Sequence, residues 1–332
     1  MKQLNDTYGR VHNYLRVSLT DACNLHCVYC APAEQRKNFL RANVLTDEEL
    51  ITLITFFVRE LRIEKIRLTG GEPFARKNIM KLMAQLADLK QQTGFHLGIT
   101  TNGTLLAPHL KELKTFGVDS LNISLDSLER ENFRTITKQD SLQKVLDAVF
   151  EAQRLGFPLI KINMVVMRGV NDHELLNFAQ FALTHHLNVR FIEFMPFTDN
   201  DWSNNKFISY KEMITVLQSR YSLIPLHGDK NAVSKDFMIE GTNGTVSFIS
   251  SMSEHFCDGC SRLRLTADGK MKICLFSLPQ HDLDLKKLLR SHSSPQQFEE
   301  AIRAALKLKW KQHPEPEILA EMKNHSMLAI GG

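Results

Sequence analysis

Short apolar runs alternate with amphipathic stretches along the N-terminal part of the chain, and this rhythm constrains the fold most. Strand-length runs lie at Tyr14–Leu19, Lys65–Thr69, His96–Thr101, Ser120–Leu125, Ile160–Val166 and Arg190–Met195. Helix-length stretches fall between them at Asp47–Leu61, Lys77–Gln91, Pro108–Phe116, Ser141–Leu155 and Asp172–His185. The repeat is about 25–30 residues, the size of one βα unit. Thr46 stands where a helix N-cap belongs, with Glu49 three residues on, the pattern of a capping box. Strands joined through helices pair in parallel, because a parallel pair needs a long crossover. The expectation is an α/β fold, a partial (β/α)6 TIM-like barrel.

The rhythm stops after Met195. Phe197–Asn205 is polar and reads as a loop. Beyond it come a helix at Tyr210–Ser219, short strands near Thr245–Ile249, Arg262–Thr266 and Met271–Leu275, and helices from Leu285 and Ser294. The expected division is a barrel over residues 1–200 and a smaller α+β region over residues 201–332. With 332 residues, 43% apolar and 23% charged, the chain can bury a substantial core. A formal net charge of +4 without a basic tail makes neither nucleic acid nor a membrane an expected partner. The opening MKQLNDTYGRVHNYLRVS has no apolar signal core, and no run reaches the ~18 apolar residues of a membrane span. A cytoplasmic location is therefore expected.

Active sites of barrel-like α/β proteins form at the C-terminal ends of the strands. The chain places its unusual residues there. Cys23, Cys27 and Cys30 follow the first strand, Gly70-Gly71-Glu72-Pro73 the second, Asn102-Gly103 the third and Asp126 the fourth. Arg168-Gly169 follows the fifth and Pro196 the sixth. The remaining three of the six cysteines, Cys257, Cys260 and Cys274, lie in the C-terminal region. Three disulfides would suit a small secreted domain better than a long unexported chain. Thiolates are soft ligands for iron–sulfur clusters or zinc. Each triplet is one ligand short of a closed four-coordinate site. A structural zinc completed by a histidine stays open for both, with His255 adjacent to the second triplet.

The C-x3-C-x2-C spacing, with Tyr29 just before the last cysteine, resembles the signature of the radical S-adenosylmethionine (SAM) superfamily. The resemblance implies a [4Fe–4S] cluster on Cys23, Cys27 and Cys30 whose open iron binds SAM. Gly70-Gly71-Glu72-Pro73, otherwise a plain turn, would then be a backbone ledge for the methionine amine. The stretch from Phe256 through Cys257, Cys260, Arg262, Leu263 and Arg264 to Cys274-Leu275-Phe276 is similar to the GTP 3′,8-cyclase family of molybdenum-cofactor biosynthesis. So is the terminal Ile330-Gly331-Gly332, which would otherwise be a frayed end.

That family resemblance implies a lyase with two [4Fe–4S] clusters, the second on Cys257, Cys260 and Cys274 and facing guanine. A 5′-deoxyadenosyl radical would abstract the C3′ hydrogen of GTP, C3′ would bond to C8, and a further reduction would give 3′,8-cyclo-7,8-dihydro-GTP. Tyr29, Gly71, Ser124 and Met195 would bind SAM. Arg16, Arg67, Thr100, Lys161, Arg262, Leu263 and Arg264 would bind GTP, with Arg262 and Arg264 also catalytic. Arg190, Glu193 and Asp126 would line the cavity. Implied partners are a flavodoxin-like or ferredoxin-like electron donor, a second copy in a homodimer, and cyclic pyranopterin monophosphate synthase as recipient of the product.

The residues support an anionic substrate independently. Arg16, Arg67 and Lys161 are charges inside apolar strand runs, where an unpaired charge is costly. Each needs an interior ligand or a neighbouring carboxylate. Arg262 and Arg264 alternate with leucines and share one strand face, either toward a ligand or toward solvent. Read without the resemblance, Met195 is core filler and Ser124 a strand hydroxyl. Ala31, Ser247 and Ser261 depart from common family residues in loop packing rather than ligation. The rival enzyme is a radical SAM peptide maturase with an auxiliary cluster, and the rival of another class is a non-enzymatic zinc protein.

Overall fold

The computed structural model describes residues 3–30, 44–228, 231–322 and 324–331. Six parallel strands run in chain order through the middle of one sheet: β1 (Tyr14–Ser18), β2 (Lys65–Thr69), β3 (His96–Thr101), β4 (Ser120–Ser124), β5 (Ile160–Val166) and β6 (Asn188–Glu193). Crossover helices α1 (Asp47–Arg59), α2 (Ile79–Thr93), α3 (Leu110–Thr115), α4 (Arg130–Thr137), α5 (Leu142–Arg154) and α6 (Leu175–His185) connect them. The fold is the expected partial TIM-like barrel.

Helix α1 shows how the local sequence builds it. The Thr46 side chain accepts from the Glu49 amide at 3.2 Å, and the Glu49 carboxylate accepts from the Thr46 amide at 2.9 Å. Leu50, Leu53, Ile54, Phe57 and Val58 then make one buried stripe. Each such side chain contributes about 1.5–3 kcal/mol on burial. Across from them, Leu15 and Val17 of β1 are fully buried in the same core, while Tyr14 and Arg16 face the hollow.

Helix α4 was not anticipated. Its sequence, RENFRTIT, is polar, and only Phe133, Ile136 and Thr137 are buried. The helix-length stretch expected at Asp172–His185 begins with a 3-10 turn at Asp172–Glu174 before α6.

Beyond β6 the chain forms α7 (Tyr210–Gln218), β7 (Leu223–Leu226), β8 (Lys235–Ile239), β9 (Thr245–Ile249), β10 (Arg262–Leu265), β11 (Lys270–Lys272) and β12 (Leu283–Asp284). These strands join the barrel's own sheet at both edges. β10 pairs in parallel with β1, and β9 in parallel with β6. The sheet order is β12-β11-β10-β1-β2-β3-β4-β5-β6-β9-β8-β7. At the β7 edge, Pro225 withholds a main-chain donor, which suits an edge strand. A smaller apolar cluster of Phe197, Met252, Phe276, Leu319 and Ile330 packs beside Cys274. Among the described residues, no helix is long and apolar enough to cross a membrane.

Candidate active site

A cavity of ≈ 590 Å³ lies inside the partial barrel, walled by the inward side chains of β1–β6 and β10. Its two ends differ in charge, because inward positions at strand starts carry cations and those after strand ends carry thiols and carboxyls.

At the cationic end, register aligns Arg264 of β10, Arg16 of β1 and Arg67 of β2 in one row across three parallel strands. Arg262, Tyr14 and Lys65 form the row below. Lys161 and Arg190 complete the lining cations, against Asp126 and Asp236 as the lining carboxylates among the described residues. Arg67 donates to acceptors other than carboxylates: Tyr14 Oη at 2.7 Å, Ser120 Oγ at 3.0 Å and the Ile99 carbonyl at 3.3 Å. Gly98 makes this possible, since a Cβ there would stand 2.8 Å from the guanidinium. Burial pulls Arg16 down to about 10 and Arg190 to about 9, with neighbouring arginines adding to both, and Arg264 falls well below its usual value for the same reasons. Burial would raise the Tyr14 phenol, but Arg67, Arg16 and Arg262 bring it to about 7. This bed holds more positive charge than its own carboxylates offset, and a polyanion relieves it.

At the opposite end, Cys23, Cys27 and Cys30 line the same cavity on the loop after β1. The loop docks on α4: the His26 amide donates to the Thr137 carbonyl at 2.9 Å and the Val28 amide to the Ile136 carbonyl at 3.0 Å. Gly70 and Gly71 press against its start, where a Cβ would meet the Thr20 carbonyl oxygen at 2.5 Å and that of Ala22 at 2.4 Å. Glu72 is fully buried and accepts from Thr101 Oγ1 and the Asn102 amide, each at 2.7 Å. Burial raises it to about 7 despite those bonds. Asp126 accepts from Tyr29 Oη at 2.7 Å and the Val165 amide at 2.9 Å, and burial lifts it to about 6. Cys27 is pushed well above its usual value by burial, then by Asp126 and the other two thiols.

Cys257, Cys260 and Cys274 border a separate space of ≈ 60 Å³, whose lining shares Arg262, Arg264 and Phe256 with the larger cavity. Distant segments shape it. Arg10 donates to the carbonyls of Cys257 at 2.8 Å, Lys311 at 2.9 Å and Trp310 at 2.6 Å, and pairs with Asp6 at 2.5 Å. Buried Lys309 donates to the carbonyls of Ile273 and Arg262. Burial would raise Cys260, but Lys309, Arg262 and Arg10 bring it below its usual value. Gly331, at φ +82°, packs where a Cβ would meet Ser18 Cβ at 2.6 Å, and its carbonyl accepts from Arg264 at 3.3 Å. Gly332 lies outside the described residues.

The donor sets test which metal group fits. None of the six cysteines is in a disulfide. Tetrahedral zinc with ~2.3 Å Zn–S bonds places its sulfurs about 3.8 Å apart. Among the described residues, Glu129, His173 and Glu174 form the one cysteine, histidine and carboxylate group whose ligand atoms all lie within 4.8 Å of one another. Neither triplet closes to zinc spacing, and His255 does not complete the second. Three thiols without a fourth ligand and without zinc spacing suit a polynuclear iron–sulfur group.

The cavity gathers Arg16, Tyr29, Arg67, Gly71, Thr100, Ser124, Lys161, Met195, Arg262 and Arg264 from the sequence reading. Leu263 is placed differently: it is fully buried in the core behind the sheet, because strand alternation turns it away from its arginine neighbours. Glu193 also departs from expectation. Its carboxylate accepts from the amides of Tyr210, Met252 and Ser253, tying β6 to the C-terminal region, and does not line the cavity. Arg168 pairs with Glu212 at the surface. Tyr14, Asn122 and Asn163 line the cavity without having been singled out. The period-2 alternation that exposes Arg16 and Lys161 places Tyr14 and Asn163 on the same faces.

Residues 17–182 match the model of the Radical SAM superfamily, and residues 187–315 that of Molybdenum Cofactor Synthesis C. The Homo sapiens protein named Molybdenum cofactor biosynthesis protein 1 is 44% identical over 98% of this chain and 51% of its own length. The chain thus spans about half the length of such curated relatives. The protein named GTP 3′,8-cyclase from Geobacter sulfurreducens is 42% identical over 99% of this chain and 100% of its own. Among solved structures, Streptococcus suis SuiB bound to S-adenosylmethionine aligns with a TM-score of 0.65 at 12% identity, covering 96% of this chain and 77% of that one, a likeness of fold. With both family models matched in tandem and a relative aligned end to end, the chain belongs to the GTP 3′,8-cyclase family of the radical SAM superfamily.

Proposed function

We propose that the protein is a GTP 3′,8-cyclase, a lyase that converts GTP to 3′,8-cyclo-7,8-dihydro-GTP in the first step of molybdenum-cofactor biosynthesis. One observation carries the reading. A single cavity joins a cysteine triplet at one end to a bed of seven cations at the other, and shares a wall with the second triplet. A triphosphate brings about four negative charges and needs such a bed, with bidentate arginine favoured. The same bed disfavours a peptide maturase.

Cys23, Cys27 and Cys30 would hold a [4Fe–4S] cluster with SAM, and Cys257, Cys260 and Cys274 a second [4Fe–4S] cluster. Bound there, these groups supply the one-electron chemistry that removes the C3′ hydrogen of the nucleotide. The chain supplies position. Arg16, Arg67 and Lys161 hold the triphosphate, and Thr100 meets the nucleotide between the two ends. Arg262 and Arg264 hold the base side, and Leu263 contributes only its main chain. Tyr29, Gly71, Ser124 and Met195 seat SAM, with Gly71 leaving main chain open to the ligand. Residues 1–200 would serve radical formation and residues 201–332 substrate presentation. A flavodoxin-like or ferredoxin-like protein delivers electrons, the protein works as a homodimer, and its product passes to cyclic pyranopterin monophosphate synthase.

The test is anaerobic turnover of cluster-loaded protein with GTP, SAM and dithionite, following the cyclised nucleotide by mass spectrometry. The expected result is one 5′-deoxyadenosine per cyclised nucleotide. Cleavage of SAM without any change in GTP would sink the reading.

A further inference from the structure

The inward row of β4 is Ser120, Asn122 and Ser124. Ser120 belongs to the cationic end, since its hydroxyl accepts from Arg67 at 3.0 Å. Ser124 lies toward the thiol end, just before Asp126, which holds Tyr29. Asn122 stands between them, about 7 Å along the strand from each. It is 4% exposed, and its Oδ1 is buried without a hydrogen-bond partner. Its register neighbour on β3 is Thr100, whose Oγ1 is also buried without a partner. Burying a polar atom unpaired is costly, so two such atoms side by side in a cavity wall mark where a ligand completes the bonding.

The chemistry of the atoms selects the ligand group. A carboxamide oxygen only accepts, so its partner must donate. Ionised phosphate oxygens cannot, whereas sugar hydroxyls and the N–H groups of the base can, and position decides between these. The sugar is also the part of a nucleotide next to the phosphates, and Asn122 is the next inward residue after the one that holds Arg67. We infer that Asn122 and Thr100 form a ribose clamp, in which Asn122 Oδ1 accepts a hydrogen bond from the 2′-hydroxyl and Thr100 pairs with the adjacent 3′-hydroxyl. The clamp makes the site selective for ribonucleotides over 2′-deoxyribonucleotides and fixes the sugar face turned toward the thiol end. This inference rests on the nucleotide reading of the cavity.

The experiment measures anaerobic binding of GTP and 2′-deoxy-GTP to cluster-loaded protein by equilibrium dialysis, alongside transfer of deuterium from 3′-deuterated GTP into 5′-deoxyadenosine. The wild-type protein should prefer GTP roughly tenfold or more, the worth of one hydrogen bond to a buried acceptor. Asn122→Ala should lower GTP affinity, leave 2′-deoxy-GTP binding unchanged and bring the ratio close to one. It should also reduce label transfer relative to SAM cleavage. Asn122→Asp keeps the acceptor and should keep the discrimination. If Asn122→Ala does not fold, Thr100→Val decides through label transfer, which should fall. Wild-type discrimination and label transfer in a folded Asn122→Ala protein, or unchanged transfer in Thr100→Val, overturns the clamp. Failure of the wild-type protein to bind GTP at all refutes instead the nucleotide reading itself.

Discussion

The two cysteine triplets are built in opposite ways. Cys23, Cys27 and Cys30 sit within eight residues on one loop, beside Asp126 and Tyr29, in surroundings that push Cys27 up. Cys257, Cys260 and Cys274 are assembled with Arg10 and Lys309 from distant chain, and there Cys260 ends below its usual value although burial still raises Cys257. The first site is a local motif in a neutral-to-acidic setting. The second is a tertiary construction wrapped in positive charge. A thiolate is easier to form beside cations, and an anionic cluster is easier to keep there, so the two sites should differ in what holds them together.

The largest expected effect separates their tasks. Cys27→Ala should remove about half of the iron, as expected for one of two four-iron clusters, and abolish SAM cleavage. Cys274→Ala should remove the other half and stop cyclisation while SAM cleavage continues, as followed by 5′-deoxyadenosine release. Product from the Cys274 variant would erase the contrast.

Arg10→Ala tests the tertiary character of the second site. It removes the arginine donor from three carbonyls and leaves buried Asp6 without its ion-pair partner. Breaking a buried ion pair costs about 3–5 kcal/mol. Urea unfolding should show that loss, and iron should leave the second site first, with the first site's spectroscopic signal retained.

Burial of a carboxyl beside the first site predicts a pH dependence. Glu72 is held up at about 7 in the folded chain, against 4.5 when free. The native state keeps its proton where the unfolded state has lost it, so stability falls as pH rises between about 4.5 and 7, by up to about 3 kcal/mol. Glu72→Gln should flatten that slope in urea unfolding across the range. An unchanged slope would remove Glu72 as its source.

How much the sequence shows follows the same division. The strand runs at Lys65–Thr69, His96–Thr101 and Ile160–Val166 coincide with β2, β3 and β5 residue for residue, because apolar alternation is a local signal. The triplet spacing and Gly70-Gly71 are local too. The pairing of β10 with β1 joins residues such as Arg16 and Arg264, and nothing local in either strand announces the other. Arg10 was invisible for the same reason, as a surface-type residue in a polar opening segment. Leu263 shows what a motif leaves out: it groups adjacent residues, while the strand turns the leucine side chain into the core and leaves its main chain between the two arginines. Asn122 went unread because an asparagine in an apolar strand gains meaning only once its neighbours fail to satisfy it.

Arg10 also sets an order of events during synthesis. The first cysteine loop has its main-chain partners once Ile136 and Thr137 have left the ribosome. The loop at Cys257 receives its clamp from the start of the chain, but that clamp closes only when Trp310 and Lys311 have been made. Chains emerge and fold from the N-terminus. The first cysteine loop can therefore be docked while the loop at Cys257 is still open, and a chain ending before residue 310 would carry three soft thiols with no lock around them.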